Sequence, residues 1–151
     1  IGYPVTAQII KDNPHLKFAE GPDDTGVIIS YNTQSPDVDP ADNPVLSGQV
    51  GLVINPITWT RSETVANTTE GMGSIMPDPA TLVFKTVPQY ADARVDTANG
   101  ALICTTADED ALYELTRHGF PRGVYHSFDY PFYFYNLRAN AQNRIDKYLG
   151  K

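Results

Sequence analysis

Apolar and polar positions along the chain fall into short blocks of two periods. Val27-Ile28-Ile29-Ser30-Tyr31 is nearly continuously apolar and β-branched, as suits a strand covered on both faces in a parallel sheet. Residues 2–5 predict a short strand, 50–54 another, and 101–105 a largely apolar one that takes in Cys104 as a small buried hydrophobe. Leu82 and Phe84 alternate with Val83 and Lys85, predicting a hairpin strand over 81–86 that pairs with 91–96. Three blocks read as helix. Thr6 can cap a brief helix over 7–12, with Ile9 and Ile10 inward and Asn13-Pro14 as the stop. Thr106 and Glu109 form a capping box for a helix over 107–118, with Leu112 and Leu115 inward and Gly119 beyond it. Phe134, Leu137, Ala141, Ile145, Tyr148 and Leu149 recur at intervals of three and four, one face of a final helix. Asp129 is its expected cap, Pro131 lies just inside it and Gly150 ends it.

Strands alternate with helices near both ends, and about residues 32–100 the chain is rich in turns. The pattern reads as α/β, one domain or domain fragment over 1–151, with a loop-rich insertion; residues 61–80 are taken as loop. The only Trp, Trp59, sits beside the Asn55-Pro56 turn, where packing in the core or at its rim is the plain expectation. Twelve Pro and 11 Gly argue against a helical bundle. A formal net charge of -7 disfavours nucleic acid and anionic membrane surfaces as partners. No apolar run approaches the roughly 18 residues of a spanning helix. One Cys and three scattered His offer neither a disulfide nor zinc spacing, so no metal or cofactor is expected. The lone cysteine fits a reducing compartment and equally an exported bacterial protein, with a periplasmic or cell-surface location the weak preference. The opening Ile1-Gly2-Tyr3-Pro4-Val5-Thr6 reads like the middle of a buried strand, so further chain is expected upstream.

The chemistry-bearing candidate is His126, at the exit of a short β-like run (Val124-Tyr125) and just ahead of the final helix. A loop between rigid elements lets a side chain reach into a cleft while its backbone is held. An orienting acid has three sources. Asp108 lies beyond strand 101–105 and ahead of His126, in the chain order acid then histidine of α/β hydrolases; it is equally a first-turn acid favoured by the helix dipole. Asp37, Asp39 and Asp42 form a second source, while Asn32, at the end of strand 27–31, is neutral and no anionic orienter. Asp129 is the third, with capping as its simpler role. No G-x-S-x-G elbow occurs, and Gly71-Met72-Gly73-Ser74-Ile75 has the wrong spacing. Nor is there a P-loop, a G-x-G-x-x-G run or an H-E-x-x-H pair.

Four stretches in order look like one pattern: residues 1–6, Asp24-Thr25-Gly26 running into 27–33, Ile54-Asn55-Pro56-Ile57-Thr58-Trp59, and Tyr125-His126-Ser127-Phe128-Asp129-Tyr130 with 136–141. Together they resemble the C-terminal half of a bacterial family of uncharacterised, lysophospholipase-like serine α/β-hydrolases. The resemblance implies the C-terminal part of an α/β-hydrolase fold, with a mostly parallel sheet and incomplete alone. It also implies a serine supplied upstream, His126 as the triad base, and a small-molecule or lipid ester as substrate. The N-terminal half would then come from the same chain or a separate one. Asp108 as the acid rests on chain order alone. The competing expectation is a non-catalytic carbohydrate- or ligand-binding module using a Tyr-rich surface.

Overall fold

A computed structural model describes residues 3–151. Ile1 and Gly2, and with them the start of the strand expected over 2–5, lie outside the described residues. The centre of the molecule is a three-stranded sheet of order β1 (Thr33–Gln34), β5 (Ala101–Ile103), β4 (Arg94–Asp96). β1 runs parallel to β5 with Thr33 opposite Leu102, and β4 runs antiparallel to β5 with Val95 opposite Leu102. All three β5 residues are buried because both faces of the sheet are covered. Leu102 points into the main core with Val53, Val95 and Tyr125, whereas Ala101 and Ile103 meet Leu46 on the other side.

The free edge of β1 is sewn to the stretch before His126. Tyr125 N donates to Thr33 O at 2.9 Å and Ser35 N to Gly123 O at 2.8 Å, around an antiparallel bridge between Gln34 and Val124. A second sheet pairs β2 (Ser74–Pro77) antiparallel with β3 (Phe84–Val87). The main core is aromatic where it meets the end of the chain. Phe128 and Phe132 stack at 5.6 Å, and Tyr31 meets Tyr133 edge-on at 5.8 Å. Burying each such ring contributes about 1.5–3 kcal/mol.

This architecture corrects the expected fold class. The mostly parallel sheet of an α/β-hydrolase C-terminal part is not what the described residues build: the protein is mixed α/β, with sheets of three and two strands and a single parallel pair of strands. The segment 27–31 is extended but not a regular strand. Ile28 bridges Phe18, and Ser30 O accepts from Ile54 N, so its backbone groups go to separate loops. Residues 50–54 likewise form no strand; Leu52 N and Ile54 N donate singly to Val5 O and Ser30 O. Strand β2 lies inside the stretch read as loop and takes the hairpin partnership expected for 91–96, which pairs across the Asn99-Gly100 turn with β5 instead. Residues 32–100 therefore supply four of the five strands and much of the main core.

Helix α1 (Ala7–Asp12) forms as expected, Thr6 Oγ1 accepting from Ile9 N, although Ile9 is exposed. Helix α2 (Glu109–Leu115) starts later than expected. Asp108 caps it, while the Thr106 hydroxyl donates to Tyr90 O and so is diverted from the cap. The final helix is two helices, α3 (Asp129–Phe132) and α4 (Phe134–Tyr148), broken at Tyr133. The buried residues of α4 are Asn136 and Asn140, and Ile145, Tyr148 and Leu149 are exposed. Asn136 Oδ1 accepts from Met72 N at 2.9 Å and Asn140 Nδ2 donates to Pro22 O at 2.9 Å, so the buried amides clamp loops. No helix among the described residues is long and apolar enough to cross a membrane.

Candidate functional site

His126 opens a single 3-10 turn, His126–Phe128, where the segment sewn to β1 ends. Gly123 starts that segment at φ +79, and a Cβ there would lie 2.7 Å from Val38 Cγ2. Only glycine fits both the left-handed backbone and the close approach. On the neighbouring segment Asn32 immediately precedes β1, so the pairing of Thr33 with Tyr125 brings Asn32 and His126 side by side.

The imidazole meets two acceptors through one nitrogen. His126 Nδ1 lies 2.9 Å from Asp129 Oδ2 and 3.1 Å from Asn32 Oδ1. Nδ1 therefore carries the proton, and in the neutral ring Nε2 holds the lone pair. Among the described residues no hydrogen-bond partner meets Nε2. The His126 side chain is 25% exposed against 5% for Asp129, so a part-buried ring has a buried carboxylate behind it. Phe120 lies edge-on to the imidazole at 5.2 Å, and Tyr3 is tilted against it at 6.5 Å.

Asp129 is fixed from three directions. Its Oδ1 accepts from Thr33 N at 2.8 Å, its Oδ2 meets His126, and its backbone carbonyl accepts from Tyr31 Oη at 3.0 Å. Burial pushes the carboxyl above its ordinary range, and the hydrogen bonds from His126 and Thr33 oppose that shift. The carboxylate caps no helix, since neither α3 nor α4 has a side-chain cap hydrogen bond.

The other candidate acids lie elsewhere. Asp108 is exposed and accepts from Ala111 N at 3.0 Å as the cap of α2, with no hydrogen bond or ion pair to His126. Asp39 caps the 3-10 turn Pro40–Asp42, and Asp37 and Asp42 are exposed. The structure thus joins His126 to Asp129 and to Asn32. A histidine and an aspartate three residues apart at the mouth of a helix was the available signal; the backbone amide of Thr33, which turns the carboxylate away from a cap, has no signature in sequence.

Asp92 is a second buried carboxylate, with a structural role. Burial raises it, but Thr105 N and Oγ1 (both 2.7 Å) and Thr106 donate to it and hold it below its ordinary value. Cys104 is free and buried, and desolvation pushes its thiol up to about 11, so it is no ready nucleophile. Among the described residues no group of His, Cys, Asp and Glu is arranged to hold a metal ion. Tyr31, Tyr125 and Tyr133 are buried in the main core, leaving Tyr3, Tyr130 and Tyr148 as exposed members of the Tyr-rich set.

No family model matches the chain, and neither a curated protein nor a solved structure is significantly similar to it.

Proposed function

We propose that this chain supplies the base and the orienting acid of a serine ester hydrolase whose nucleophile comes from outside these 151 residues. The observation that carries the reading is the His126–Asp129 pair: a partly exposed imidazole with its proton on Nδ1, held by a buried carboxylate. Asp129 takes the role that chain order gave to Asp108.

In the proposed reaction His126 Nε2 accepts the proton of a serine hydroxyl as the serine oxygen bonds to the ester carbonyl carbon. The imidazolium then returns that proton to the leaving alcohol as the carbon–oxygen bond breaks, leaving an acyl-serine. Water repeats the cycle: His126 takes its proton, the hydroxide oxygen bonds to the acyl carbon, and the serine oxygen leaves with the proton from Nε2. Asp129 stays ionised throughout and stabilises the imidazolium. Asn32 Oδ1 adds a second, neutral acceptor that fixes the ring's rotation.

The test uses the longest translated product that contains these residues. A fluorophosphonate probe should label a serine in it, and His126→Ala and Asp129→Asn should reduce labelling and turnover of an activated ester, the first by ~10^3-fold or more. Unchanged turnover in a folded His126→Ala variant removes the histidine from the chemistry. Absence of labelling in the wild type removes the serine-hydrolase reading.

A further inference from the structure

A cavity of about 220 Å³ lies between α4, the extended segment 29–31 and the turn that carries Trp59. Its walls are Ile29, Tyr31, Trp59, Tyr130, Leu137 and Ala141, with Arg144 at one end. The polar groups of Tyr31, Asn140, Asp129 and Arg144 that border it are engaged with other parts of the chain. Tyr31 Oη donates to Asp129 O at 3.0 Å. Asn140 donates to Pro22 O and accepts from Arg144 Nε, while the Arg144 guanidinium also donates to the carbonyls of Asp24 and Gly21. The Asp129 carboxylate is taken by Thr33 and His126. Most of the remaining lining is hydrocarbon and aromatic ring, which offers little to a charged group.

The Trp59 wall is held under strain. Its backbone sits at φ +56, an uncommon and sterically costly region for so bulky a residue. The Asn55 turn enforces it: Trp59 N donates to Asn55 O, and Asn55 Oδ1 accepts from Ile57 N. The guanidinium of Arg144 lies 5.4 Å from the indole centroid. A strained backbone that sets an indole as the wall of an apolar space is the kind of outlier that marks a site.

We infer that this cavity binds a small uncharged apolar ligand, an alkyl-substituted aromatic ring or one of similar size. The volume is large enough for a substituted benzene ring, and the exposed Tyr130 and Ala141 at its rim leave it open to solvent. The inference stands on the cavity and its largely apolar lining, independently of ester turnover.

Trp59 is the only tryptophan, so its fluorescence reports the site directly. Titration of the chain with n-butylbenzene should give a saturable change in Trp59 emission. Ala141→Phe, which fills the space from α4, should weaken binding at least tenfold while circular dichroism stays unchanged. If that variant does not fold, Ala141→Leu serves, again with at least tenfold weakening expected. The negatively charged analogue 4-phenylbutyrate should bind at least tenfold more weakly than n-butylbenzene. No saturable change, undiminished binding in a folded filled variant, or equal affinity for 4-phenylbutyrate would each overturn the proposal.

Discussion

Asp129 links three parts of the chain through one residue: Tyr31 through its carbonyl, Thr33 through one carboxylate oxygen and His126 through the other. Beside it, the Thr33 hydroxyl is fully buried and, though close enough to the Asp129 carboxylate to help lower its pKa, makes no well-formed hydrogen bond among the described residues. A buried unpaired hydroxyl costs about 1–3 kcal/mol, so Thr33→Val should be neutral or stabilising, by up to ~1 kcal/mol in urea denaturation. A loss above ~1 kcal/mol would show that the hydroxyl is paired. Asp92 behaves oppositely. Its carboxyl is held below the ordinary ~3.9, so its contribution to stability is present above that pH and is lost as pH falls through the lower folded value. Asp92→Asn should therefore melt lower than wild type at neutral pH, with the gap closing below about pH 4; a gap that persists unchanged in acid would contradict the assignment.

Between elements, the decisive contact is the run 123–125 along β1. Gly123→Ala puts a side chain into a left-handed backbone and against Val38, costing about 1–2 kcal/mol from the backbone alone. The expected result is that loss in denaturant titration, together with shifted His126 ring resonances. A variant as stable as wild type would show that the turn can relax. The same scale explains which helices were legible. Thr6 and the helix it caps were readable because their signals are local. The start of α2 was misread by two residues because the Thr106 hydroxyl is claimed by Tyr90 O and Asp92 across the fold, leaving Asp108 as the cap. The apolar period of α4 pointed to a core face, yet Ile145, Tyr148 and Leu149 are exposed and the buried Asn136 and Asn140 answer loop backbone groups that no periodicity encodes.

At the scale of the molecule, the apolar block 27–31 was read as a strand covered on both faces of a parallel sheet, and 101–105 as another largely apolar strand. Ala101–Ile103 is fully covered, whereas Val27–Ile29 is only partly buried and joins no ladder. Ile54 is fully buried and Ile28 packs partly buried against the same cluster, but their backbone groups bond to loop positions. β-Branched runs report burial and extension, whereas ladder partners depend on long-range register. Hence β2, in a stretch with Gly71 and Gly73 close by, was taken as loop, and the pairing of β4 with β5 across Asn99-Gly100 was missed. His126 was legible as a candidate from its place ahead of a helix; its partner was weighed and set aside because Asp129 also fits a cap.

The central claim is the state of the His126 ring, and long-range ¹H–¹⁵N correlation of the imidazole nitrogens at mildly alkaline pH tests it most directly. The expected spectrum shows Nδ1 protonated and Nε2 with a pyridine-type shift in the wild type, a preference weakened in Asp129→Asn. A proton on Nε2 in the wild type would mean that the carboxylate does not orient the ring, and the proposed base would lose its free lone pair.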